Sequence, residues 1–162
     1  MTPITLILPY PVSANAYWAT RIIPANRSTG KPAMAITYVT KEAEAYKTAV
    51  GWKVRGAGVR EPITGRVQID VRLYPARPQD WQKRQRQAGA SWDDTVRCID
   101  LDNANKVLLD ALKGVAIEDD KWVRRIVAER MEPDAEGARV VLTITPLGVE
   151  QPQAGLFGDI AA

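Results

Sequence analysis

Val67-Gln-Ile-Asp-Val-Arg-Leu-Tyr74 alternates apolar and polar side chains until Pro75 breaks the run. A period of two puts Val67, Ile69, Val71 and Leu73 on one face, so the stretch is a half-buried strand in a sheet with one covered side. Downstream the period changes. Leu101, Ala104, Leu108, Ala111, Leu112 and Val115 fall at helical spacing, and Gly114 marks the helix end. Upstream, Thr40 stands as the N-cap of a helix carrying Ala43, Tyr46, Ala49, Val50 and Lys53, with Glu42 in its first turn and Gly56, Gly58 and Pro62 stopping it. Ile4 to Leu8 is a short apolar strand ended by Pro9. Trp122 to Met131 reads as a strand, Pro133 to Gly137 as a turn, and Val140, Leu142 and Ile144 as the inward positions of a last strand. Two strands joined by a short turn are expected to pair as a hairpin. The order is β-α-β-α-β-β, an α+β domain with helices on one face of a mixed sheet.

Between these elements, 11–31 reads as irregular. Arg77 to Arg97 is a polar, basic insertion loop with at most a short helical stretch around Gln-Lys-Arg-Gln-Arg-Gln at 82–87. The expected domain is 1–146, and 147–162 is expected to be a flexible C-terminal tail. The 162 residues suit one domain, and 46% hydrophobic with 25% charged residues is ordinary globular composition. Apolar runs fall well short of the roughly 18 residues of a membrane span. Pro3, Pro9 and Pro11 interrupt any signal-peptide core. The single cysteine, Cys98, excludes an internal disulfide framework and suits a reducing cytoplasm, where it serves as a small packing residue.

The chain has no histidine. That removes Ser-His-Asp and Cys-His nucleophile activation, His-ligated zinc and imidazole acid–base chemistry together. Hydrolysis by this protein must rest on carboxylates, lysine, or a hard metal held by oxygen. The overall charge is +3, but Asp100 to Asp120 holds six acids and two lysines, a net of −4 that leaves +7 for the rest. An acidic centre in a basic surround is what a metal-dependent phosphodiesterase needs, although local charge fluctuation alone also produces such a pattern.

Asp100-Leu-Asp102-Asn-Ala-Asn-Lys106 opens the second helix: Asp100 at the N-cap, Asp102 in the first turn, Lys106 one turn beyond on the same face. Asp119 and Asp120 follow the helix. A helix of about 14 residues is roughly 21 Å long, so Asp119–Asp120 meet Asp100 only if the next strand runs back or a second subunit supplies them. Converging aspartates can hold Mg²⁺, and two such ions can activate water and stabilise a leaving oxygen. Lys106 would offset phosphate charge. Capping, turn chemistry and a solvated i,i+4 ion pair explain the same residues without any metal.

At these residues the sequence resembles the RusA family of Holliday-junction resolvases. Ile4-Thr-Leu-Ile-Leu-Pro-Tyr-Pro-Val-Ser13-Ala-Asn15 is similar to the family's strand followed by Pro-x-Ser-x-Asn. Asp100-Leu-Asp102-Asn103-x-x-Lys106 is similar to its D-L-D-N-x-x-K signature. Ile117-Glu-Asp119-Asp120-Lys-Trp122 resembles its acidic pair before a strand. The likeness runs from about Ile4 to Thr145. It implies a homodimeric hydrolase of bacterial or prophage origin that binds four-way DNA junctions and nicks two strands with Mg²⁺, or Mn²⁺ in its place, in DNA recombination and repair. By the same resemblance Asp100, Asp102 and Asp120 hold metal, Lys106 is catalytic, and Asp119 is a secondary ligand. The long 77–97 excursion departs from the short basic segment usual before D-L-D-N.

Arg77, Lys83, Arg84, Arg86, Arg97, Arg124 and Arg125 are candidate phosphate contacts, with Asn15 and Tyr17 beside them; Tyr17, Trp18, Trp81 and Trp92 are candidates for stacking on unpaired bases. Gln153, Leu156 and Phe157 resemble the Q-x-x-L-F peptide that docks on the bacterial sliding clamp. The rival function is a non-catalytic branched-DNA or clamp-associated binding protein in which the aspartates only cap and turn. A nuclease preferring flaps or forks is a third expectation on the same site.

Overall fold

The structure is a computed structural model in which residues 2–149 are described. Its main sheet is built on the alternating stretch, β4 (Val67–Tyr74), which buries Val67, Ile69, Val71 and Leu73. Joined to it are β1 (Ile4–Pro9), β5 (Val123–Arg130) and β6 (Arg139–Pro146), in the spatial order β1-β6-β4-β5. β4 and β5 are parallel, and β6 is antiparallel to both β1 and β4. The sheet is therefore mixed, as expected.

The expected hairpin of the last two strands does not form: β6 lies between β1 and β4, on the far side of β4 from β5. Two physical features override the short connection. A helix links β4 to β5, and such a crossover returns the chain parallel to its starting strand. β5 also carries Arg124, Arg125, Glu129 and Arg130, charges that suit a sheet edge. β6, with Val140, Leu142 and Ile144 fully buried, belongs in the interior.

Two long helices cover one face. In α2 (Lys41–Gly56) the Thr40 hydroxyl accepts from the Ala43 amide, the expected cap, and Ala43, Tyr46, Val50 and Val54 are buried. The crossover helix α4 (Leu101–Leu112) buries Ala104, Val107, Leu108, Ala111 and Leu112. Fully burying a Val or Leu is worth about 1.5–3 kcal/mol, so this face fixes how α4 sits on the sheet. Gly114, at φ +72°, turns the chain after α4 as its position predicts. The opposite sheet face leaves Thr5, Ile7, Arg72 and Glu129 exposed.

Two stretches are more ordered than expected. Within 11–31 and just beyond it lie a four-residue helix, α1 (Ala14–Tyr17), and an antiparallel hairpin of β2 (Trp18–Ile23) and β3 (Met34–Val39). The insertion loop contains α3 (Trp81–Ala88) and a 3-10 run, Gly89–Thr95. Trp92 is buried and donates to Glu132 at 2.7 Å, while Arg130 donates to the carbonyls of Asp93 and Val96, both at 2.7 Å.

Candidate active site at the two ends of one helix

Asp100 caps α4 with extended backbone (φ −65°, ψ 141°), yet its carboxylate makes no capping hydrogen bond, and it is exposed. Asp102 is also exposed, with Lys106 at 3.5 Å one turn on. A solvated i,i+4 pair of this kind is weak, so neither carboxylate is committed to holding the fold. Tyr10 fixes the chain entering the helix: its hydroxyl accepts from the Ile99 amide at 2.9 Å and donates to Cys98 Sγ at 3.4 Å. Burial, with the Cys98 contact, pushes the Tyr10 phenol up to about 12.

The other acidic pair lies at the opposite end of α4. Asp119 accepts from the Lys121 amide at 3.0 Å and so caps a 3-10 turn, Asp120–Trp122. Lys113, at the C-cap of α4, sits 3.0 Å from Asp119 and 3.3 Å from Asp120. The Lys121 amide first, then Lys113 and a hydrogen bond with Asp120, hold the Asp119 carboxyl down at about 2; the two aspartates raise the Lys113 ammonium in return. Twelve helical residues span roughly 18 Å. β5 does run back along the sheet, but Asp120 precedes its first residue. Within one chain Asp120 does not meet Asp100 and Asp102, and no group of three or more metal-capable side chains occurs among the described residues. The three aspartates of a single chain thus do not fit one ion.

The Asp100 end opens onto a cleft of about 700 Å³ that brings together Asn15, Arg77, Arg84, Arg97, Asp100 and Asn103. Four of the expected DNA contacts therefore share a wall with a candidate metal ligand, although far apart in sequence. Their freedom differs. Arg97 is exposed; Arg77 is exposed and lies over the Trp81 ring at 4.7 Å. Arg84 is committed to Asp80 at 2.8 Å and to the Thr95 carbonyl at 2.8 Å. Lys83 and Arg86 lie exposed on α3, and Arg124 and Arg125 lie exposed on β5, near Asp120.

Two expectations are corrected. Tyr17 is fully buried and cannot reach DNA; its hydroxyl donates to Asp110, which Lys47 also contacts at 3.0 Å. Burial raises the Asp110 carboxyl, but the Tyr17 and Lys47 hydrogen bonds outweigh it and hold the group below the usual carboxylate range. Trp92 is likewise a core anchor and not a stacking platform. Trp18 is half-buried against Tyr17, with ring centroids 4.4 Å apart.

The chain matches the family of endodeoxyribonuclease RusA over residues 9–145, a span that includes both ends of α4 and the cleft. It belongs to the RusA endodeoxyribonuclease family. No curated protein matches it. For a RusA-family DNA endonuclease, the exposed Arg77 and Arg97 on the wall they share with Asp100 are chemically apt, since such a basic surround attracts the polyanion. No helix of the described residues is long and apolar enough to cross a membrane.

Sequence reasoning missed Tyr10 in this RusA cleft and gave Asn103 and Ser13 only as motif positions, without a role in a site. Asn103 was within sight, being one residue from Asp102. Tyr10 carried no local signal, because its role depends on a contact with Ile99 made through the fold. Gln153, Leu156 and Phe157 lie outside the described residues.

Proposed function

We propose that this RusA-family chain is a Mg²⁺-dependent, structure-selective endonuclease that resolves four-way DNA junctions by paired nicking, in recombination and repair. It acts in the cytoplasm of a bacterium or from a prophage. The observation that supports this reading is the family match combined with the exposed Asp100 carboxylate on a cleft lined by Arg77 and Arg97, with Asp102 exposed two residues on. The working form is a homodimer: the separation of the two acidic pairs along α4 leaves Asp120 of the partner subunit to complete the set begun by Asp100 and Asp102, with the partner's Asp119 nearby. Bound Mg²⁺, or Mn²⁺, would supply an activated water and relief of charge on the leaving oxygen. The chain's own part is to hold that ion through Asp100 and Asp102, to set Lys106 against the phosphate charge, and to seat the strand with Asn15, Arg77 and Arg97.

Mixing two inactive variants tests this arrangement. Asp102→Asn and Asp120→Asn are each expected to be inactive. In a mixed dimer of shared sites, one site carries both substitutions and the other carries neither. Co-refolding is therefore expected to restore single-strand nicking to about a quarter of the wild-type sites, by random pairing of subunits. Failure of the mixture on four-way, fork and linear DNA would rule out the shared site. The rival reading, a non-catalytic branched-DNA binder, needs no three-acid group, and none forms among the described residues of one chain. That protein would show no Mg²⁺-dependent nicking and no rise in Tm with Mg²⁺ or Mn²⁺. Sliding-clamp binding through Gln153, Leu156 and Phe157 remains part of the proposal; equal clamp pulldown of full-length protein and a Leu156→Ala/Phe157→Ala variant would remove it.

A further inference from the structure

The hairpin of β2 and β3 is built unlike the rest of the molecule. Every residue from Thr20 to Ala35 is exposed. Ile22 is 74% exposed, Met34 57% and Ile23 40%. In register, Ile23 faces Met34 and Arg21 faces Ile36, so one face of the ribbon carries an apolar stripe with a guanidinium in it. Six residues per strand at about 3.4 Å each reach roughly 20 Å. A two-stranded ribbon alone is marginal in water, and exposed apolar side chains on it mark a surface made to be covered.

Charge identifies the cover. Residues 18–39 contain Arg21, Arg27 and Lys31 and no acid. A second copy of the chain offers carboxylates scattered along its sequence, such as Glu61, Asp94 and Glu129, and those of Asp102, Asp110, Asp119 and Asp120 each have a lysine of their own. A nucleic-acid backbone offers an unbroken row of negative charge, and a two-stranded ribbon fits the major groove. Ile and Met are the residues that proteins wedge between unstacked bases. The ribbon also springs from the right place. Trp18 follows directly on α1, whose Asn15 lines the cleft beside Asp100; at the ribbon's return, the Thr40 amide donates to the Tyr17 carbonyl at 3.0 Å and its hydroxyl to the Ala16 carbonyl at 2.7 Å.

We propose that this hairpin is a DNA-contacting ribbon: Arg21, Arg27 and Lys31 follow the phosphates, and Ile23 and Met34, paired on one face, lodge against bases left unstacked at a branch point. This rests on the nuclease reading and adds to it the element that distinguishes branched from linear DNA.

The test uses the full chain, with divalent metal chelated, on a four-way junction carrying 2-aminopurine at the branch and on a linear duplex of equal length. Ile23→Ser/Met34→Ser is expected to weaken junction binding about tenfold or more, to leave duplex binding unchanged, and to abolish the 2-aminopurine signal. Arg21→Ser/Arg27→Ser/Lys31→Ser is expected to weaken both and to flatten the salt dependence of log K by about 2.7. Unchanged junction binding in both variants, with wild-type nicking intact, overturns the ribbon alone. Conversion of the Ile23→Ser/Met34→Ser protein from dimer to monomer in sedimentation, with junction and duplex binding falling together, also overturns it and makes the hairpin a subunit contact. A wild-type protein that neither binds nor nicks branched DNA removes the nuclease reading beneath it.

Discussion

The two ends of α4 carry the same chemistry in opposite conditions. At the N-terminal end, Asp100 and Asp102 are exposed, and the one lysine nearby, Lys106, stands off at 3.5 Å. At the C-terminal end, Asp119 and Asp120 share Lys113, and Asp119 also caps a turn. Among the described residues Asp100 has no ion-pair partner and Asp102 only a solvated one, whereas Asp119 and Asp120 are both neutralised by one shared lysine. Asp100 makes no side-chain hydrogen bond to the helix it precedes, and its place on a cleft lined by arginines leaves its carboxylate accessible. The difference teaches that local acidity is a poor guide to a site; what counts is whether the fold has already spent the charge.

The sharpest way to break this comparison is Asp102→Asn. Nicking is expected to fall to background while junction binding stays equal or tightens, measured by gel shift and cleavage on the same substrate. Binding and cutting lost in equal proportion would show that Asp102 has no specifically catalytic part. A smaller effect is expected from Tyr17→Phe. It removes the donor to Asp110 that ties α1 to the last turn of α4 and should cost about 1–3 kcal/mol in urea unfolding.

The smallest effect concerns the C-terminal end and pH. A depressed carboxyl stabilises the fold above its unfolded pKa of about 4, and that contribution fades as pH falls through the folded value of about 2. Lys113→Met should move the Asp119 titration, followed by carboxyl NMR, upward toward the ordinary range. The Lys121 amide keeps part of the depression. An Asp119 titration unmoved by that substitution would show that Lys113 does not hold the pair.

Legibility in the sequence followed burial. Val67–Tyr74 and Leu101–Leu112 each bury one face, so their periods announce them, and Thr40 announces the start of α2. The β2–β3 hairpin buries little on either face, and its strands are joined by a long loop, 24–33, instead of a two-residue turn. The β-branched Ile22, Ile23 and Ile36 were its only trace. Sheet order was misread because pairing of β5 with β6 was judged from the length of their connection, whereas the buried pattern of Val140, Leu142 and Ile144 decided it. For the site, Asp100, Asp102 and Lys106 are neighbours on a helix and could be placed from spacing alone. Tyr17 misled because an aromatic in an apparently irregular segment looks free until α4 supplies Asp110 to hold its hydroxyl.

The position of β6 also governs when the protein can exist. The strand that arrives last among the described elements is the one that β1 needs as its hydrogen-bonded neighbour, so β1 waits for nearly all of the described residues. Long-range pairing of this kind is slow to close and leaves apolar edges open meanwhile. A ribosome that stalls before Arg139 therefore releases a fragment with an unpaired β1, a target for chaperones and proteases and not a partly working enzyme.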